Sequence, residues 1–236
     1  MPVSWYTSSM SLTVAAIVPA FNEEKQIRSL LSFLSKSSML DEVICIDDGS
    51  TDKTNQTIHS VDGITCIDLP TNKGKANAIV EGIIAAKSDC TLFIDADLSG
   101  MSDTALKTLI EPLQSGQYDV SIGFPSKMED VTLFRPLTGE RCYFRKDLLP
   151  HLEDLKAKGY GLELALNYLF RDKKVKFSRL DGVCQLHKVR KYDKLTSMKR
   201  EFGTWKELIG EVTDQDNPLA YTYGAYLKNF YVGRDK

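Results

Sequence analysis

The chain has 236 residues, 42% of them hydrophobic and 26% charged, with a formal net charge of −2; that is enough for one sizeable domain with its own core. So even a charge balance excludes general attraction to nucleic acid, and any anion site must be local. No run approaches the roughly 20 apolar residues that span a bilayer. The five cysteines, Cys45, Cys66, Cys90, Cys142 and Cys184, lack CxxC spacing and read as reduced thiols of a cytoplasmic protein. Met1 to Ser11 is polar, without the basic-then-apolar pattern of a secretory signal.

Val14 to Val18 is a short strand-like run that Pro19 is expected to stop. Ile27, Leu30, Leu31 and Leu34 share one helix face, with Asn22 as the expected N-cap. Val43 to Ile46 is a second apolar strand, ending in Asp47-Asp48-Gly49-Ser50, and Ser50 or Thr51 can cap the helix that follows. Strand-like Ile64 to Leu69 leads to Asn72-Lys73-Gly74-Lys75, which opens a helix with Ala76, Ile79, Val80, Ile83 and Ile84 on one face. Thr91 to Ile94 is another strand, ending at Asp95-Ala96-Asp97. Leu106, Leu109, Ile110 and Leu113 mark a helix before the strand Val120 to Phe124. This β-α-β-α rhythm predicts an α/β fold with a mainly parallel, doubly wound sheet and helices on both faces. Ligands of such sheets sit beyond the carboxyl ends of the strands. Pro19 to Glu24, Asp47 to Asp52, Lys73 to Lys75 and Asp95 to Asp97 all fall in strand-to-helix turns, so they are expected to converge on one rim.

Further along, Arg135 to Arg145 reads as a loop or strand, Leu148 to Leu155 and Leu162 to Phe170 as helices, and Val175 to Leu180 as a strand. Asp181 to Arg190 reads as a loop carrying His187. Leu195, Met198, Phe202, Trp205 and Leu208 trace a last amphipathic helix before a tyrosine-rich tail. His59 and His151 lie within helical patterns without a partner motif and are expected to be structural.

Asp95-Ala96-Asp97 is an acidic pair directly after a buried strand. Transfer of a sugar from a nucleoside diphosphate leaves an anionic group that a hard cation neutralises, and such a pair can hold the cation and the ribose. An acidic pair in a turn also serves as a helix N-cap, but here Ser99 or Ser102 is available for capping. The run Ile17-Val18-Pro19-Ala20-Phe21-Asn22-Glu23-Glu24, then Ile46-Asp47-Asp48-Gly49-Ser50-Thr51-Asp52, then the acidic pair, resembles family-2-type glycosyltransferases of the GT-A superfamily from Thr13 to about Gly100. The resemblance implies a Rossmann-like GT-A mixed sheet with a nucleotide-sugar pocket. It sets Pro19, Ala20, Asn22, Glu23, Asp48 and Ser50 on the nucleoside and Asp95 on the ribose or base. Asp97 would bind Mg2+ or Mn2+. Glu23 and Glu24 are also favourable charges for a first helical turn. The Lys-Gly loop lacks Walker spacing; a lysine there can meet a phosphate or the base, and the resemblance favours Lys73 over Lys75. A carboxylate at Asp48 can accept the imide hydrogen of uracil, where cytosine has no proton.

Pro136-Leu137-Thr138-Gly139-Glu140-Arg141, Arg145 with Leu148-Leu149, Gly159-Tyr160-Gly161-Leu162-Glu163, and Asp181-Gly182-Val183 with His187 resemble the glucosyl-3-phosphoglycerate synthase branch. That resemblance implies that His187 completes the metal site with Asp97, while Glu140 and Glu163 face the sugar or acceptor. The segment between Phe124 and Arg135 is shorter than in those synthases, so phosphoglycerate does not follow as the acceptor. The expected organisation is a single GT-A domain over 1–236. It comprises a nucleotide-sugar half (12–100), an acceptor half (101–190) and a C-terminal helical tail (191–236). The expected activity is metal-dependent transfer from a UDP- or GDP-sugar to a small-molecule or lipid-phosphate acceptor. Glu140 would be general base if the reaction inverts; Glu163 would hold the sugar if it retains. The tail aromatics leave open packing on the core, a homodimer, or peripheral contact with the inner membrane face. A nucleotidyltransferase is disfavoured by the missing Gly-rich activation loop, and a non-catalytic sugar-nucleotide sensor by the set Asp95, Asp97 and His187.

Overall fold

A computed structural model describes residues 12–126, 137–156 and 161–185. The described elements begin with β1 (Val14–Ala20), α1 (Ile27–Leu34), β2 (Glu42–Asp47), α2 (Thr54–His59), β3 (Thr65–Asp68) and α3 (Lys75–Ala85). There follow β4 (Cys90–Phe93), β5 (Leu98–Ser99), α4 (Asp103–Gln114), β6 (Val120–Pro125) and β7 (Arg141–Phe144). After these come α5 (Arg145–Leu148), a 3-10 turn (Leu149–His151), α6 (Leu152–Lys156), α7 (Leu162–Leu169), β8 (Val175–Leu180) and β9 (Cys184–Gln185). His187 and the expected C-terminal helix lie outside the described residues.

The strands read as continuous apolar runs because both faces of the sheet are covered. On β1, Val14, Ala16 and Val18 join one core with Leu30, Leu31 and Leu34 of α1 and Leu106 and Leu109 of α4. The alternate residues Ala15 and Ile17 join a second core with Ile79, Val80 and Ile83 of α3, and with Leu155, Leu162 and Leu166 of α6 and α7. Each fully buried leucine or isoleucine stabilises the fold by about 1.5–3 kcal/mol relative to exposure.

Among the described residues one sheet runs in the order β3-β2-β1-β4-β7-β6-β8, and β5 pairs with β9 in a second, two-stranded sheet. Neighbours are parallel except that β7 runs antiparallel to both β4 and β6. The sheet is therefore mixed and mainly parallel. The reversed β7 brings the segment before it, Thr138-Gly139-Glu140, to the rim where β4 ends.

Three local expectations change. Pro19 does not stop β1: it lies within the strand opposite Ile46. Pairing with β4 ends at Ile17, so on that side no ladder asks for the missing proline N–H. Asn22 does not cap α1, whose N-cap position is Gln26; Asn22 adopts a left-handed φ of 56° and accepts the Thr51 N–H at 2.9 Å. Neither Ser50 nor Thr51 caps α2, which starts after Lys53; Asp52 takes the Thr54 N–H at 2.9 Å instead. Of the two serines before α4, Ser102 makes the cap, accepting from Ala105. All five cysteines are free thiols. Among the described residues no helix is long and apolar enough to cross a membrane.

Candidate active site

The turns after β1 and β2 and the loop before α3 are sewn together by main-chain groups. The Asp48 N–H donates to the Ala20 carbonyl at 2.8 Å. The carboxylate of Asp48 is 3% exposed, and it accepts the Lys73 N–H on one oxygen and the Gly74 N–H on the other, both at 2.8 Å. The Asn22 N–H donates to Ser50 Oγ at 3.0 Å, and the Glu23 N–H to Thr54 Oγ1 at 2.7 Å. Gly49 packs directly beneath this loop. A Cβ there would lie 2.6 Å from the Thr71 carbonyl carbon and 2.7 Å from the Asn72 nitrogen. Pro19, Ala20, Asn22, Glu23, Asp48, Ser50 and Lys73 thus meet on one rim. Lys73 contributes its backbone to this arrangement, while its side chain is exposed.

The neighbouring lysine points inward. Lys75 Nζ lies 2.6 Å from Asp95 Oδ1 and 2.9 Å from Glu163 Oε1. Desolvation alone would lower its pKa, but the charges and hydrogen bonds of the two carboxylates prevail and hold the ammonium above the ordinary lysine range. Sequence reasoning favoured Lys73; the signal for Lys75 was its place as first residue of α3. A cation there opposes the helix dipole, so it needs anionic partners.

Gly139 packs against Asp95, and any Cβ there would clash with both carboxylate oxygens. The strip around Gly139 is fixed to β6: Thr138 Oγ1 donates to the Gly123 carbonyl at 2.6 Å, and the Gly123 N–H donates to the Glu140 carbonyl at 2.8 Å. Glu140 is 1% exposed, and its Oε1 is buried without a hydrogen-bond partner. Burial first, then the charge of Asp95 with a smaller push from Asp97, raises its pKa to about 8, against the pull of Lys75 and of its own N–H. At neutral pH Glu140 is therefore a neutral acid. Behind it, the fully buried Arg141 donates from Nε to the Thr138 carbonyl at 2.6 Å and from Nη1 to Asn167 Oδ1 at 2.7 Å. That bond ties β7 to α7, the helix carrying Glu163.

Asp97 sits one residue before β5. Its Oδ1 accepts from Gln185 Nε2 at 3.3 Å, because β9 returns antiparallel with Gln185 opposite Leu98. Sequence reasoning gave no signal for Gln185. Among the described residues no group of three His, Cys, Asp or Glu side chains could hold a metal by itself. A lone hard carboxylate at a strand end still fits Mg2+ or Mn2+, which take one or two protein carboxylates and complete their shell with substrate phosphate and water. Asp95 is turned to Lys75 rather than to such a site.

The mixed sheet, with an acidic turn on the same rim as the β1 and β2 turns, is the GT-A glycosyltransferase architecture. A family model described as glycosyl transferase family 2 matches residues 15–175, and the chain belongs to that family. Glucosyl-3-phosphoglycerate synthase of Mycobacterium tuberculosis is 27% identical over 236 residues, covering 80% of this chain and 71% of the synthase. Its structure with Mn2+ and UDP-glucose superposes with a TM-score of 0.64 at 24% identity, over 81% of this chain and 76% of that one, a likeness of fold. The 4,4'-diaponeurosporenoate glycosyltransferase of Staphylococcus aureus is 36% identical over 109 residues; the match spans 44% of this chain and 28% of that protein.

Proposed function

We propose that this chain is a metal-dependent glycosyltransferase that moves a sugar from a nucleoside diphosphate sugar, UDP-sugar first among them, to an acceptor. The observation that carries the reading is the convergence of Asp48, Lys75 and Asp95 with the turns after β1 and β2 on one rim. Family membership and the neighbours solved with UDP and Mn2+ or Mg2+ support it. In this reading Pro19, Ala20, Asn22, Glu23, Asp48 and Ser50 receive the nucleoside. Each Asp48 oxygen accepts one loop N–H and keeps a second lone pair, so it can hold the loop and also accept the imide proton of uracil. Asp97, with His187, would hold Mg2+ or Mn2+, which when bound neutralises charge on the departing diphosphate.

Asp95 and Glu163, both fixed by Lys75, suit hydrogen bonding to ribose and sugar hydroxyls. Glu140 is deeply buried and neutral at rest, which supports a proton-holding role under Asp95 over direct attack on an acceptor proton. That favours a retaining outcome, with Glu163 holding the sugar. The acceptor half is where the relatives part, since their names place phosphoglycerate in one case and diaponeurosporenoate in the other; a small-molecule or lipid-phosphate acceptor is proposed here. The test is thermal melting with UDP. At one hundred times its dissociation constant UDP should stabilise by about 2.7 kcal/mol with MnCl2 and by far less in excess EDTA. An equal shift in EDTA would sink the metal-dependent reading.

A further inference from the structure

Asp95 follows β4 and Glu163 opens α7, far apart in sequence, yet they share one cation. Lys75 Nζ bridges them at 2.6 and 2.9 Å, with both carboxylate side chains 18% exposed and the lysine 33% exposed. Gly139 packs against the Asp95 carboxylate, where any side chain would collide with both of its oxygens. Glu163 stands in the first turn of α7, where the helix dipole favours an anion. Lys75 occupies the corresponding end of α3, where the dipole disfavours a cation. The pairing is thus maintained by the carboxylates against the preference of the helix that bears the lysine. Two carboxylates gathered on one nitrogen repel each other once that nitrogen is gone, so the lysine is what allows them to sit together.

We propose that Lys75 is a positioning residue, the strut that sets α7 and its Glu163 against the acidic turn, so that filling the nucleotide site is felt at α7. The strut itself stands on the ion pairs; the coupling to the nucleotide rests on the function proposed above. Arg141 also holds α7, through Asn167, and Leu162 and Leu166 pack it into the core. Lys75 touches Asp95 of the nucleotide rim directly, so occupancy can be transmitted through it.

Hydrogen exchange read by mass spectrometry on the full chain tests both parts. In Lys75→Met, without ligand, peptides covering 162–170 should exchange at least tenfold faster than in the parent, while those covering α1 stay within twofold. Lys75→Arg, which keeps a cation of similar reach, should remain within threefold of the parent at α7. In the parent, UDP with MnCl2 should slow exchange at α7, and in Lys75→Met that response should vanish although calorimetry still detects nucleotide binding. Should Lys75→Met fail to fold, Glu163→Gln retains the Lys75–Asp95 pair and removes only the charge on α7, with the same loosening expected. Unchanged α7 exchange in these variants, or acceleration shared equally with α1, overturns the strut. Bound nucleotide with no effect on α7 of the parent overturns the coupling. Absence of any nucleotide binding in the parent defeats the proposed function instead, and the strut is still judged by the ligand-free variants.

Discussion

Glu140 is a carboxyl group placed where its charged form is costly. It is buried beside Asp95, and one oxygen has no partner. Its pKa rises from 4.5 to about 8, so between these values the folded chain binds more protons at this group than the unfolded chain. Stability from Glu140 is intact below about pH 4.5 and is lost as pH climbs through about 8. Glu140→Gln removes this dependence. The variant should gain on the parent as pH rises from 5 to 9, by at least about 2 kcal/mol, or roughly 4–8 °C in melting temperature for a chain of this size. Melting curves that run parallel across this range would show that the carboxyl ionises freely. The same burial explains why the residue's state was hidden in the sequence. Thr138-Gly139-Glu140 marks a motif, but only the reversed strand β7 decides that the glutamate is covered and that Gly139, not a larger residue, must face Asp95. The buried thiols follow the same rule: desolvation raises the Cys45 pKa well above the usual range, which keeps it in its unreactive form.

At the level of elements, the loop between β3 and α3 depends on what lies beneath it. Gly49 has a φ of 70° and no room for a Cβ. Gly116 has a similar φ of 67° with open space around it. Gly116→Ala should therefore cost only the left-handed strain of about 1–2 kcal/mol. Gly49→Ala pays that strain and also displaces Thr71 and Asn72, so it should cost at least about 1 kcal/mol more and alone should weaken UDP binding. Equal melting temperatures for the two variants would show that the loop is free to shift. The strands and helices of this region were legible because their apolar residues repeat with periods that both cores enforce. The turns were less so. Asn22 looks like a helix cap from its position, whereas it spends its side chain on Thr51 in the neighbouring turn. Pro19 looks like a strand end, whereas the loss of β4 pairing beyond Ile17 makes room for it inside β1. In both cases a partner distant in sequence sets the outcome.

Across the whole molecule the chain makes one long return. It leaves the acidic turn at Ser99, builds α4 through β8, and comes back as β9, with Cys184 opposite Ser99 and Gln185 opposite Leu98. The Gly182 carbonyl packs directly on Gly100 at this crossing, and Gln185 reaches Asp97. Such a return is invisible to periodicity, since β9 has two residues and no pattern of its own; only the motif Asp181-Gly182-Val183 hinted at it. His187 follows Gln185 by two positions and lies outside the described residues. A neutral imidazole is a ligand for Mn2+ and a protonated one is not. His187→Ala should therefore weaken Mn2+-dependent UDP binding by at least about tenfold, the scale on which even outer-shell partners of metal ligands act. In the parent the same binding should fade as pH drops through the ordinary histidine range near about 6.5, and in the variant that fading should be absent. Without ligand the melting temperature should move little, because a metal ligand adds stability when the metal and nucleotide are bound. Calorimetry showing parent-like Mn2+ and UDP affinity in His187→Ala would remove the residue from the metal site and leave Asp97 and the diphosphate to hold the cation.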